Sequence, residues 1–161
     1  MKYTETYVAL QEYPDEITLA INISNCPFRC EGCHSPWLRE DKGQVLSVSI
    51  LDTLIEDNQG ISCIGFMGGD RTLDEVQSLA RHIHAKYPGL KVGMYSGRAL
   101  LQDLKPLFPI LDYIKVGPYI KEKGGLDSKD TNQVFYMIEH PRQGECSLHN
   151  WTHKFQKINL T

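Results

Sequence analysis

Ile17-Thr-Leu-Ala-Ile-Asn-Ile23 runs through Ser24-Asn25 into Cys26-Pro-Phe-Arg-Cys30-Glu-Gly-Cys33-His34. The first half is a β-branched apolar stretch that reads as a strand. The second half sets three cysteines at the spacing C-x3-C-x2-C on one tight loop, with no obvious fourth thiolate. A closed structural zinc site takes four ligands, so three leave a metal position open. Iron–sulfur clusters are held by cysteine thiolates, normally four, and a cubane held by three has one iron free to bind something else. The other reading is a zinc knuckle completed by His34 or a distant residue, although adjacent Cys33 and His34 are awkwardly placed for joint tetrahedral ligation.

Outward from this stretch, strand and helix signals alternate. Ser47 to Asn58 is predicted as a helix, with Ile50, Leu51, Leu54 and Ile55 on one face and Gly60 as a stop. Ile61 to Met67 is a buried strand ended by Gly68-Gly69-Asp70. Thr72 and Glu75 make a capping box for a helix whose apolar positions are Leu73, Val76, Leu79, Ala80 and Ile83. Leu90 to Tyr95 is a strand followed by Ser96-Gly97-Arg98. A helix through Leu100, Leu101, Leu104 and Leu107 leads to the strand Asp112 to Val116 and the turn Gly117-Pro118-Tyr119. Gln133 to Ile138 is a further strand candidate, and Glu139 to Thr161 is polar and weakly patterned.

Strands alternating with single helices imply right-handed parallel βαβ units. A complete (β/α)8 barrel takes about 250 residues, and this chain has 161. The expected fold is therefore α/β: a partial (β/α) barrel of about five or six mainly parallel strands, in a single domain spanning residues 1–161. Its open side would need cover, and a protein partner could supply it. In such sheets ligands bind at the carboxyl ends of the strands. The cysteine loop, Gly68-Gly69-Asp70, Ser96-Gly97-Arg98 and Gly117-Pro118-Tyr119 all fall there, which makes them one candidate site. Two glycines let backbone approach a ligand closely, and the Asp70 carboxylate suits an ammonium group. The bland reading of that segment is a turn before a helix. Ser96-Gly97 is either a helix N-terminus or a place where backbone N–H groups meet a carboxylate.

The rest of the composition excludes more than it identifies. A net charge of −3 gives no footing for a nucleic-acid groove or an anionic membrane. No apolar run approaches the roughly 20 residues of a membrane span, and Met1 to Tyr7 has no apolar region of a signal peptide. Five cysteines, an odd number, argue against a disulfide framework and for a reducing compartment, with the cytoplasm as expected location. Cys63 lies in an apolar run and reads as a small buried hydrophobe. Cys146, His149 and His153 have a spacing that could bind zinc, but the segment reads mostly as a solvated terminus. His82 and His84, two apart on a helix, point to different sides and read as surface residues.

With the cysteine triplet and Gly68-Gly69-Asp70 both in place, the chain resembles the radical S-adenosylmethionine (SAM) enzymes. More narrowly, it resembles the activating protein of the anaerobic (class III) ribonucleoside-triphosphate reductase. The supporting details are Cys30-Glu-Gly-Cys33-His34, the Gly-Gly-Asp turn, Tyr95-Ser-Gly97 and Thr131-Asn132-Gln133. The resemblance implies Cys26, Cys30 and Cys33 as ligands of a [4Fe-4S] cluster and SAM as second cofactor. It implies Gly68, Gly69 and Asp70 at the methionine end of SAM, Ser96 near it, and only backbone of Gly32 facing adenine. It further implies a radical activase that makes a glycyl radical on the large subunit of the reductase, with a low-potential donor such as flavodoxin. The family's fourth-strand turn often holds Asp-Gly, where this chain has Val116-Gly117, so a polar side chain there is missing. Two rivals stay open. One is an activase of another glycyl-radical enzyme, or a small-molecule radical SAM enzyme such as a deazapurine synthase. The other is a non-enzymatic zinc or iron–sulfur module.

Overall fold

The computed structural model describes residues 1–156. Its frame is an open eight-stranded mixed sheet, ordered β3-β1-β2-β4-β5-β6-β7-β8. The strands are β1 Lys2–Ala9, β2 Thr18–Ile23, β3 Gln44–Val45, β4 Cys63–Met67, β5 Lys91–Tyr95, β6 Tyr113–Val116, β7 Val134–Glu139 and β8 Ser147–Asn150. The α-helices are α1 Val48–Asp57 and α2 Leu73–Lys86, and short 3₁₀ turns cover Pro36–Arg39, Leu101–Leu107 and Thr152–Phe155.

This corrects the expected partial (β/α) barrel of five or six mainly parallel strands. Among the described residues, only β2–β4, β4–β5 and β5–β6 pair parallel. The pairs β1–β2, β1–β3, β6–β7 and β7–β8 are antiparallel. The cause lies in the connections. A parallel return needs a crossover of a dozen or more residues, usually helical. Between β6 and β7 the chain, rich in glycine and charge, forms no helix and only an isolated bridge, Ile120 to Gly124. It therefore comes back antiparallel, and β8 follows through a hairpin. The predicted helix at Leu100–Leu107 is a 3₁₀ turn with Pro106 inside it, because proline removes a backbone donor and crowds the preceding turn.

The helical face of the sheet carries the main core. Leu19, Ile21, Ile23, Ile64, Phe66, Val92, Met94 and Ile114 are buried against Leu51, Ile55, Val76, Leu79, Ala80 and Ile83 of the two helices. α1 starts on Ser47, whose hydroxyl accepts from the Ile50 N–H at 3.3 Å. α2 starts at Thr72 without a side-chain cap. The Thr72–Glu75 capping box is not formed: Glu75 pairs with the Met1 amino group instead. His82 and His84 are not free surface residues. His82 Nε2 meets Asp52 at 2.7 Å, tying α2 to α1, and His84 Nε2 meets the Ile110 carbonyl at 3.0 Å.

On the opposite face, the strand register lines residues up in rows. Ala20, Gly65, Gly93 and Tyr113 form one, and Asn22, Met67, Tyr95 and Lys115 form the next toward the carboxyl ends. The Tyr13 ring, fully buried, fills the trough that the two glycines leave. A Cβ on Gly93 would lie 2.1 Å from Tyr13 Cε1, and one on Gly65 would lie 2.6 Å from Cε2. Glycine inside these strands therefore marks the close approach of a ring. Tyr13, Cys63, Tyr113, Leu126 and Phe135 make the second, smaller core. That core floors the space above it.

Candidate metal centre and adjoining cleft

The three parallel pairings point β2, β4, β5 and β6 the same way, so the loops that leave them gather at one sheet edge. The cysteine loop is the first. Its backbone is pinned on both sides: Cys26 N–H donates to Leu38 O at 2.8 Å, Asn25 N–H to Glu40 O at 3.0 Å, and Arg39 reaches Cys30 O at 2.6 Å. Arg71, just beyond the second loop, donates to Asn25 O at 3.0 Å. Cys26, Cys30 and Cys33 are free thiols, partly exposed, and all three line one cavity of about 90 Å³. Ile23, Phe28, Leu38, Met67 and Gly68 supply its apolar wall. Burial pushes the Cys26 thiol up, helped by Asp70 and the other two cysteines and opposed by its contact with the Phe28 carbonyl.

The donor set suits a cluster. Three soft thiolates converge on one pocket, and in a cubane each would take a different iron rather than share one ion. Among the described residues, no three His, Cys, Asp or Glu side chains are grouped to hold a single metal ion. That grouping is what the zinc-knuckle reading needs. His34 instead packs on Tyr119, ring centroids 5.0 Å apart. The C-terminal zinc pattern does not converge either: Cys146 faces His140, and His149 faces Glu139.

The second and third loops are welded to each other. Gly68 and Gly69 both have φ above +100°, a conformation open to glycine and strained for any side chain. They carry Asp70 into a buried position, where its carboxylate accepts from Ser96 Oγ at 2.5 Å and from Gly97 N–H at 3.3 Å. Arg98 Nε lies 3.4 Å from Asp70 Oδ1, and Arg98 Nη2 donates to the Asp70 carbonyl at 2.9 Å. Burial pushes the Asp70 carboxyl up, while Ser96, Gly97, Arg98 and Lys115 pull it back. Ser96 N–H donates to Lys115 O at 2.8 Å. The Ser96 and Gly97 N–H groups are thus occupied within the fold. Gly97 has a second task, since the Phe28 ring seats on it and a Cβ there would come within 2.4 Å of that ring. Gly32 lies exposed at φ +68°, next to the Lys121 side chain.

Beside the thiol pocket opens a cleft of about 520 Å³. Its lining includes Asn22, Met67, Tyr95, Lys115, Gln133 and Tyr119, together with Cys33 and His34. Cys33 belongs to both spaces. Sequence reasoning missed Lys115. Its amine is buried, donating to the carbonyls of Ser96 at 3.4 Å and Gly117 at 3.3 Å and lying over the Tyr95 ring, 5.5 Å from its centroid. Burial pushes it down to about 8, against the pull of Asp70, Cys30, Cys26 and Cys33. A lysine in the middle of a four-residue strand buried throughout is the signal that could have found it.

A family profile described as a 4Fe-4S single cluster domain matches residues 17–135. The chain belongs to that family. The match begins at the strand before the cysteine loop and ends in β7, so it covers the thiol pocket and most of the cleft lining. None of the curated proteins or solved structures compared matches this cluster domain. Among its described residues, no helix is long and apolar enough to cross a membrane.

Proposed function

We propose that this cluster domain is a radical SAM activase that generates a glycyl radical on the large subunit of anaerobic ribonucleoside-triphosphate reductase. One observation carries the reading: Cys33 lines both the three-thiol pocket and the broad cleft, so a cluster held there would present an edge to whatever the cleft binds. Reduced by a low-potential donor such as flavodoxin, the cluster would supply one electron for splitting SAM into methionine and a 5′-deoxyadenosyl radical, which takes hydrogen from a glycine of the partner. The chain's own task is to bind, orient and shield. Cys26, Cys30 and Cys33 hold the cluster. Gly68 and Gly69 offer close backbone approach to the methionine end, while Asp70 and Ser96 hold the neighbouring loop in place. Lys115 supplies a buried positive charge under a carboxylate, and Gly32 offers backbone to adenine. No general base is required, and the cytoplasm is the compartment that keeps such thiols reduced.

Anaerobic reconstitution with iron and sulfide, then SAM and dithionite, tests the reading. Formation of 5′-deoxyadenosine, followed by a glycyl radical in EPR when the reductase is added, supports it. Absence of 5′-deoxyadenosine at full cluster occupancy would leave an electron-transfer or structural module. Cys26→Ala abolishes the cluster's visible absorbance, whereas Cys63→Ala, buried in β4 and away from the pocket, retains it.

A further inference from the structure

We propose that Cys146 and His140 form a reactive thiol–imidazole pair, a site for small disulfides at the sheet end opposite the cysteine loop. The pair flanks the β7–β8 hairpin, one position beyond the last ladder partners, Glu139 and Ser147. Cys146 Sγ lies 3.6 Å from His140 Nδ1. The other ring nitrogen, Nε2, lies 3.0 Å from the Leu111 carbonyl and 3.8 Å from Asp112 Oδ1. A carbonyl oxygen can only accept, so Nε2 carries the proton in the neutral ring and Nδ1 turns its lone pair to the thiol. Asp112 is itself fixed, with Oδ2 accepting from Val92 N–H at 2.8 Å.

This is the arrangement of nucleophile, base and orienting group that activates a cysteine. Around it, Asp112, His84 and Arg81 face the imidazole side, and Lys105 and Glu145 face the thiol side. Cys146 is partly exposed and forms one wall of a recess of about 350 Å³ with Lys105, Phe108, Pro109, Gly144 and Glu145. A lysine and a glutamate in one apolar recess suit a small zwitterionic, peptide-like disulfide. In the step, His140 takes the Cys146 proton as sulfur attacks one sulfur of the disulfide. The old S–S bond breaks, a Cys146 mixed disulfide forms, and the departing thiolate takes the proton back from the imidazolium. The disulfide is the oxidant, and nothing else is consumed. Asp112 precedes β6 while the cysteine loop follows β2, so the reaction does not compete for the cluster ligands.

Oxidised glutathione on the full chain tests this. Trypsin releases Cys146 on a peptide between Arg142 and Lys154 that holds no other cysteine, so mass spectrometry reads its labelling separately from Cys26, Cys30, Cys33 and Cys63. Near pH ~7, Cys146 should label roughly tenfold faster in the wild type than in His140→Gln. That advantage should vanish above about pH 9.5, where an unassisted thiol ionises by itself. A structural role for His140 would not produce a pH-limited gap. Equal rates in the two proteins, or wild-type Cys146 reacting no faster than free glutathione thiol measured alongside, would overturn the proposal. Should His140→Gln not fold, the comparison with free glutathione decides alone.

Discussion

Tyr13 shows how much of this protein is written in single side chains that no motif announces. Its ring occupies the trough over Gly65 and Gly93, yet its hydroxyl is buried with no hydrogen-bond partner among the described residues. A buried hydroxyl left unpaired costs on the order of 1 kcal/mol or more, so Tyr13→Phe should raise the urea midpoint of the apoprotein. The three cysteines were legible because C-x3-C-x2-C is a local pattern. Tyr13 and Lys115 were not, because their neighbours are set by strand register between segments far apart in sequence. Lys115 gives the sharper functional test. Removing a buried cation relieves a desolvation cost, so Lys115→Met should leave the apoprotein at least as stable in urea. Formation of 5′-deoxyadenosine by the reconstituted protein should nonetheless fall, by about tenfold or more, if the amine holds a substrate carboxylate.

At the scale of elements, two contacts deserve experiments. Gly93→Ala pushes a methyl into the Tyr13 ring and should cost about 3 kcal/mol. The same change in a Tyr13→Leu background should cost clearly less, a coupling that urea melts of the four proteins measure. The other contact is the junction of α1 and α2. Asp52 of α1 accepts from His82 at 2.7 Å and pairs with Lys86 at 2.9 Å. Hydrogen bonding from His82, with help from Lys86 and Tyr87, lowers its carboxyl from 3.8 to about 2. A depressed acid contributes stability above its unfolded value and loses it as pH falls through the folded one. The gap in urea midpoint between wild type and Asp52→Asn should therefore hold at pH ~5 and close between about pH 4 and pH 2. α1, α2 and the strands flanking them were readable because apolar periodicity is a local signal. β1 and β8 were missed for the opposite reason: they mix polar and apolar residues, and only their neighbours make them strands.

At the scale of the molecule, the expected partial barrel of mainly parallel strands gives way to an open mixed sheet in which the pairings β1–β2, β1–β3, β6–β7 and β7–β8 are antiparallel. Runs such as Ile17–Ile23 and Ile61–Met67, each followed by a glycine- or cysteine-bearing turn, carry enough information to place four loops along one edge. The direction of β7 depends on what the Gly117–Gln133 connection does, and an irregular connection has no periodicity to read. The four loops still gather at one edge, because they follow β2, β4, β5 and β6, which pair parallel. The row Asn22, Met67, Tyr95 and Lys115 shows the same limit, since it exists only once the register is known.

The cysteine loop is gripped by Leu38, Glu40, Arg39 and Arg71 through its backbone, and Phe28 leans on Gly97, whose own strand end hangs from the Asp70 carboxylate. None of these fastenings uses sulfur. The loop's course is therefore set by main-chain contacts and a seated ring, so exchanging any one of its cysteines for serine should take away a ligand without releasing the segment from the sheet edge.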